Sequence, residues 1–478
     1  MGCTTKTLSE TEVQKGLRHI IMDGLATQVM STLTGSVFLV AFALALGASD
    51  LVIGLLATIP PLSNVIQIPT IYLVEKLRVR RSITVMAAAL SRSFLLLIAF
   101  VPFIFPFSVA LPLVLVGLVM QSLLASIGGC SWNSWIHDLV PKQNLGRFFS
   151  KRMLLSTAVG IPLALAAGFF ISWWKTAFPE LEIAGYSILF VAGFLAGLMG
   201  VLVIKGIPEP QMERHDMPKL QELLKKPFRD GNFKNLIMFL SSWSFAVNLA
   251  LPFLTVYMLT TLGLDTSTVV VFTVISQASM LAFFRIWGRL SDRFSNKSVM
   301  RVSGPLMIGS ILLWAASVLF QGTPVIVPMV IAIHVLMGMA QAGVNLASQN
   351  IGLKLAPKGE ATAYLASSTL FSSLAAGIAP LIGGIVAMYS PQWEYFFLVA
   401  FVLGLFSLHR LTKVREEGEV REKVVVMELC HEVRDGCSLS HLREQAHAAS
   451  AGLSTAVRAR RRRRGRGILP LNFLFLRR

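Results

Sequence analysis

Twelve apolar runs of about 20 residues or more dominate this chain, and that is the length a helix needs to cross the hydrocarbon core of a bilayer. They lie at roughly 20–46, 51–74, 83–105, 107–137, 153–174, 184–204, 236–259, 269–287, 302–321, 324–353, 363–388 and 393–410. Each is continuous and lacks the alternation and ~10-residue length of outer-membrane strands. The predicted fold class is therefore an all-α membrane protein with twelve transmembrane helices. Interior prolines such as Pro61, Pro112, Pro162, Pro252 and Pro380 agree with this, since membrane helices tolerate kinks where neighbours satisfy the freed carbonyl groups. Charged residues make up 14% of the 478 residues and hydrophobic ones 54%, whereas soluble globular proteins carry roughly 25% charge. That balance argues against a soluble enzyme.

The formal net charge of +18, from 43 Lys plus Arg against 25 Asp plus Glu, raises the question of nucleic acid. Placement of the charges answers it. Alternate loops carry 22 Lys or Arg on one side, in clusters such as Lys76 to Arg81 and Arg285 to Arg301, and Lys175 alone on the other. Positive residues accumulate on the cytoplasmic side of a membrane protein. Both termini are thus predicted to be cytoplasmic, in a multi-pass protein of the cytoplasmic (inner) membrane, and no nucleic-acid partner is needed.

Three anchors recur at nearly one offset: Leu46-Gly47 returns as Leu262-Gly263, Leu73 to Lys76 as Leu290 to Arg293, and Leu139 to Lys142 as Leu355 to Lys358. Such recurrence at equivalent helix ends implies two six-helix pseudo-repeats. The predicted organisation is a cytoplasmic N-terminal segment 1–19, a six-helix bundle 20–204, a cytoplasmic linker 205–235 rich in Pro and charge, a second bundle 236–410, and a basic tail 411–478, partly disordered and partly helical around Glu416 to Val433. Parallel six-helix repeats suit a transporter with its site between the halves.

Between spans 8 and 9, Gly288-Arg289-Leu290-Ser291-Asp292-Arg293-Phe294-Ser295-Asn296-Lys297 resembles the cytoplasmic signature of the major facilitator superfamily, G-x-L-x-D-R-x-G-R-[RK]. Its first-half counterpart, Tyr72 to Arg81, is degenerate, with Glu75 in place of Asp. Met22 to Gln28 and Trp132 to Pro141 resemble segments of uncharacterised bacterial permeases in that superfamily. The resemblance implies alternating access by rocking of the two halves, with helices 1, 4, 7 and 10 lining the cavity. It also implies gating by Gly288, Asp292, Arg293, Lys297, Glu75 and Arg80. Asp292 would face the N-terminus of span 5 just after Arg152, where a carboxylate is favoured by about 0.3–1 kcal/mol, and Glu75 the start of span 11 near Ala363. The plainer reading is that both acids neutralise basic loops.

Ionisable residues inside the membrane are costly and are functional candidates by default. Asp23 at the start of span 1 and Arg92, nine residues into span 3, are expected to pair and to take part in proton coupling. The competing reading has Asp23 capping span 1 while Arg92 snorkels. His334, ten residues into span 10, titrates in a range suited to proton coupling, although a lone His also serves as a hydrogen-bonding core residue. Candidate polar cavity residues are Gln28, Gln121, Asn133, Asn248, Gln341, Asn345 and Gln349, and Asn and Gln also join membrane helices to one another. Trp132 and Trp135 read as interfacial anchors.

Other chemistries are missing from the sequence. There is no G-x-x-x-x-G-K-[ST] loop and no H-E-x-x-H, so neither P-loop hydrolysis nor that metal chemistry is implied. Cys430, His431, Cys437 and His441 have only loose metal-like spacing, and Cys3, Cys130, Cys430 and Cys437 imply no disulfide framework. No cofactor is expected. In the tail, Arg460 to Arg464 precede the short apolar run Leu469 to Leu476, a pairing that could adhere to an anionic leaflet at ~1 kcal/mol per Arg; an extension without a role is the simpler reading. The expected function is secondary active transport of a small solute by a monomer in contact with membrane lipid, with protons as the candidate coupling ion. The alternative is a non-transporting substrate sensor on the same fold.

Overall fold

A computed structural model describes residues 9–140, 145–212, 220–357, 361–389 and 392–436. Twelve helices among them are long and apolar enough to cross a membrane: Glu10–Ala45, Asp50–Leu77, Arg80–Ile104, Phe107–Ile136, Lys151–Ala177 and Pro179–Ile204 in the first half, then Gly231–Thr261, Thr266–Arg293, Asn296–Phe320, Ile326–Leu355, Tyr364–Tyr389 and Trp393–Leu411 in the second. The fold is all-α, with no strand among the described residues. These helices, spans 1 to 12, match the predicted runs closely except at the start. Span 1 begins ten residues early because Ser9 and Glu12 form a reciprocal capping box, each side chain accepting the other's backbone N–H. That arrangement satisfies donors a helix start leaves open, so residues predicted as an N-terminal segment are already helical from Glu10.

Within the halves, span 1 packs on span 6 and span 3 on span 4, while span 10 packs on spans 8 and 9, and span 12 on spans 7 and 9. The halves meet through spans 2 and 11 and through spans 5 and 8. The repeat seen in the sequence extends to backbone conformation. Gly47 and Gly263, at matching turns after spans 1 and 7, both take positive φ, 84° and 63°, a region open to glycine at little steric cost.

A second correspondence was not visible in the sequence. Five residues beyond the last span of each half stands a glutamate, Glu209 after Ile204 and Glu416 after Leu411. Each reaches back to the start of its half's third span. Glu209 lies 3.9 Å from Arg80 Nε. Glu416 Oε2 accepts from the backbone N–H of Lys297 at 2.7 Å, and Oε1 from Asn296 Nδ2 at 2.9 Å. Lys354 Nζ completes the contact at 3.1 Å, with the glutamate side chain fully buried. A carboxylate is favoured at a helix N-terminus.

The tail is therefore not a loose extension where it leaves span 12. A helix, Glu422–Gly436, packs against spans 8 and 9. Glu419 pairs with Lys297 at 2.7 Å and Arg301 at 2.5 Å, while Glu428 and Glu432 pair with Arg293 and Arg289. Arg460 to Arg464 and Leu469 to Leu476 lie outside the described residues. Replacing Glu416 by Ala leaves buried donors unsatisfied, at about 1–3 kcal/mol each. The expected outcome is a lower melting temperature in detergent and new protease cleavage between residues 412 and 436, read by thermal unfolding and limited proteolysis.

Candidate functional site

A cavity of about 1100 Å³ lies between the halves. Spans 2, 4, 7, 10 and 11 line it, with Met307 added from span 9. Span 1, expected as a lining helix, contributes no residue, because it is held between spans 5 and 6. Pro60 and Pro61 explain how span 2 takes part. Proline lacks an N–H and its ring displaces the carbonyl four residues back, and here a single 3₁₀ turn at Asn64–Ile66 follows the pair. Asn64 and Gln67 reach the cavity from that turn, with Gln67 Nε2 and Ser126 Oγ donating to Asn64 Oδ1 at 3.1 and 3.2 Å.

Of the predicted cavity residues, Asn133, Asn248, Gln341, Asn345 and Gln349 line the space. Gln28 and Gln121 do not. Gln28 donates to Thr32 within span 1 at 3.1 Å and abuts Gly160 of span 5, and the Gln121 carbonyl accepts from Ser91 at 2.8 Å. Sequence reasoning missed Asn64, Gln67, Trp243 and the span 11 pairs Ser368-Thr369 and Ser372-Ser373. The doubled hydroxyl pairs at helical spacing were the available signal for the last four.

The ionisable candidates sit elsewhere. Asp23 is 4% exposed, with Arg92 Nη2 at 3.7 Å and Arg152 Nη2 at 3.9 Å. Arg92 also donates to the Gly197 carbonyl and to Thr27 Oγ1, and Arg152 to the Ile20 carbonyl. This trio joins spans 1, 3, 5 and 6 inside the first half, and none of its members lines the cavity. His334 is likewise enclosed, between the rings of Phe272 and Trp314 with centroids 5.4 and 5.5 Å away, its Nδ1 2.9 Å from the Val330 carbonyl.

The expected gating residues divide. Arg80 is fully buried and bonds Asp138 at 2.5 Å, the Ser134 carbonyl at 3.1 Å and the Pro210 carbonyl at 2.9 Å. Trp135, expected at the membrane interface, is also buried and donates to the Pro208 carbonyl at 3.0 Å. Trp132 stacks with the Arg152 guanidinium at 5.0 Å. Lys297 and Arg293 belong to the tail contacts described above. Glu75 pairs with Arg78 at 3.7 Å. Gly288 has loose surroundings, with Leu346 3.7 Å from where a Cβ would stand. Asp292 is exposed and has no hydrogen bond or ion pair with a described residue.

One end of the cavity is shut. At the end opposite the termini, Ser172 donates to Asp265 at 2.7 Å and the hydroxyls of Tyr186 and Thr266 lie 3.3 Å apart, both pairs crossing between halves. Spans 2 and 11 touch backbone to backbone there. A Cβ on Gly54 would overlap the Pro380 carbonyl, and one on Gly384 would stand 2.8 Å from the Asp50 carbonyl. Toward the termini, the lining continues to Gly352 and the exposed Leu353 in the last turn of span 10.

Two parallel six-helix halves around a central cavity sealed at one end define a membrane transporter fold. The sequence profile of the Major Facilitator Superfamily matches residues 24–310 and 301–476, and the chain belongs to that family. Its fold is similar to that of a D-xylose-proton symporter, with a TM-score of 0.66 at 16% identity over 86% of this chain and 99% of that one. A variant of the nucleoside transporter NupG gives 0.65 at 13% identity over 84% and 100%. The inward-open xylose transporter XylE from E. coli gives 0.61 at 16% over 86% and 97%. No curated protein sequence matches the chain significantly.

Two outcomes follow from this geometry. Asp23→Asn leaves the buried Arg92 and the half-buried Arg152 without their carboxylate, and breaking a buried pair from one side costs about 3–5 kcal/mol; the variant is expected to melt at markedly lower temperature, while a wild-type melting curve would show that the trio is not ionic. Burial pushes the Asp265 carboxyl up, yet the hydroxyls of Ser267, Thr268 and Ser172 outweigh it and hold the group at about 2. A depressed carboxylate contributes stability above its usual value of 3.8, lost only as pH falls from there through about 2. Closure of this seam is expected to stay constant between about pH 5 and 8, as measured by spin-label distances across it.

Proposed function

We propose that this chain is a secondary active transporter that carries a small solute by alternating access, seen with its cavity open toward the cytoplasm. One observation carries the reading: the cavity is sealed by cross-half contacts at one end, and its lining runs on toward the termini at the other. The basic loops lie on the termini side, which supports assigning that side to the cytoplasm. Rigid-body rocking of packed halves is a standard way to exchange which end is open.

Within this mechanism Asp292 and Glu75 close the cytoplasmic end by engaging helix starts in the opposite half. Asp23 and Arg92 tie helices within the first half and His334 packs within the second, and each is satisfied by its neighbours away from the cavity, which supports a structural role for them over proton coupling. The sensor alternative gains no support from the family or the fold.

Accessibility tests the reading. In a background with Cys3, Cys130, Cys430 and Cys437 changed to serine, Ser348→Cys places a thiol in the cavity. An impermeant maleimide is expected to label it from the cytoplasmic face of vesicles. Adding Gly54→Ala drives a methyl into the Pro380 carbonyl, opens the seam, and shifts labelling severalfold toward the outer face. Equal labelling from both faces without Gly54→Ala would indicate a channel and overturn alternating access.

A further inference from the structure

The cavity is polar without being charged. Among the described residues, no Asp, Glu, Lys, Arg or His lines it, in a protein that carries buried ionic groups elsewhere in both halves. Its polar character comes from carboxamides and hydroxyls. Gln341, Asn345 and Gln349 recur every fourth residue along span 10 and all face the space. At 1.5 Å per residue they form a ladder about 12 Å long on one helix face. Asn133 of span 4 lines the cavity as well. None of these four side chains has a hydrogen bond to another described residue, and Ser372 Oγ is buried with no partner while its residue lines the cavity. Trp243 also borders the cavity but is 5% exposed, with its ring packed toward Gly304 of span 9.

These features discriminate between solute classes. An ion loses hydration on entering such a site and needs an opposite charge there to offset the loss, and the lining offers none. A divalent metal can take carboxamide oxygens, but a protein site for one ordinarily includes at least one carboxylate, imidazole or thiolate, and none of these is in the described lining. A purely apolar solute would leave the carboxamides and Ser372 desolvated and unpaired, a costly outcome. A carboxamide has two N–H donors and an acceptor oxygen side by side, so it can bond two adjacent hydroxyls of one molecule, donating to one and accepting from the other.

We infer that the cavity binds an uncharged, hydroxyl-rich solute of the sugar or polyol class, held by the Gln341–Asn345–Gln349 ladder and Asn133. This inference rests on the transporter reading above and narrows it to a substrate class.

The test uses the full-length protein, purified and in proteoliposomes, with probes in matched sets. Each set holds a neutral pentose, hexose, disaccharide or sugar alcohol together with the sugar acid, amino sugar and sugar phosphate of the same skeleton. At least one neutral member is expected to raise the melting temperature by mass action, while its charged counterparts do not. Gln341→Ala and, independently, Asn133→Ala are expected to weaken that binding at least tenfold with the unliganded melting curve retained. Asn345→Asp is expected to do the same by placing a charge in the ladder. If every neutral member fails to bind, or if a charged counterpart binds as tightly, the substrate class is overturned. If one of the two alanine variants fails to fold, the other decides. Uptake separates the two readings: a neutral solute that binds but never crosses proteoliposomes refutes transport and leaves the binding class standing, whereas uptake of charged members alone refutes the class and leaves transport standing.

Discussion

The halves of this protein can seal one end of their cavity because glycine lets two backbones touch. At Gly54 and Gly384 the chain of span 2 lies directly on that of span 11, with no side chain between them. In a bilayer, lipid is as apolar as the helices, so association depends on close packing and hydrogen bonds instead of hydrophobic burial. The small residues supply the first, and the Ser172–Asp265 and Tyr186–Thr266 contacts the second. All of these lie at one end. The seam thus fixes the end at which the cavity is closed.

The alternating access proposed above requires halves that behave as solid bodies, and the buried charges suit that need. Asp23, Arg92 and Arg152 tie four helices of the first half, while Arg80 ties the start of span 3 to span 4 and to the chain leaving span 6. In the second half Glu416 and Glu419 hold the start of span 9 and the end of span 10. Charges are expensive in such surroundings unless paired and hydrogen-bonded, and each of these is met by several partners. The described lining of the cavity is left without charge and presents hydrogen-bonding groups instead.

How far the candidate site could be read in advance differed by residue for physical reasons. Gln341, Asn345 and Gln349 were legible because polar residues at helical spacing in an apolar span stand out. Gln28 met the same description but faces span 5, since helix rotation decides between neighbour and cavity. Spans carry apolar residues toward lipid and toward partner helices alike, so their pattern gives little indication of which face is inward. Arg80 and Lys297 carry the right residue types for a gate, yet their partners come from Pro210 and Glu419, segments that read as linker and tail.

The sequence by itself determined the number of spans, the side on which positive charge gathers, the half-chain repeat and the family signature. These follow from local composition and order: length sets what crosses a bilayer, and loop charge is set residue by residue. Tertiary structure alone decided that spans 2 and 11 line the cavity in place of span 1, that Asp23 has two arginine partners, that Glu416 caps span 9, and that the tail through Gly436 is part of the second half. Each of those depends on how one helix is rotated and tilted against another, and that relation arises only when residues far apart in the chain come into contact.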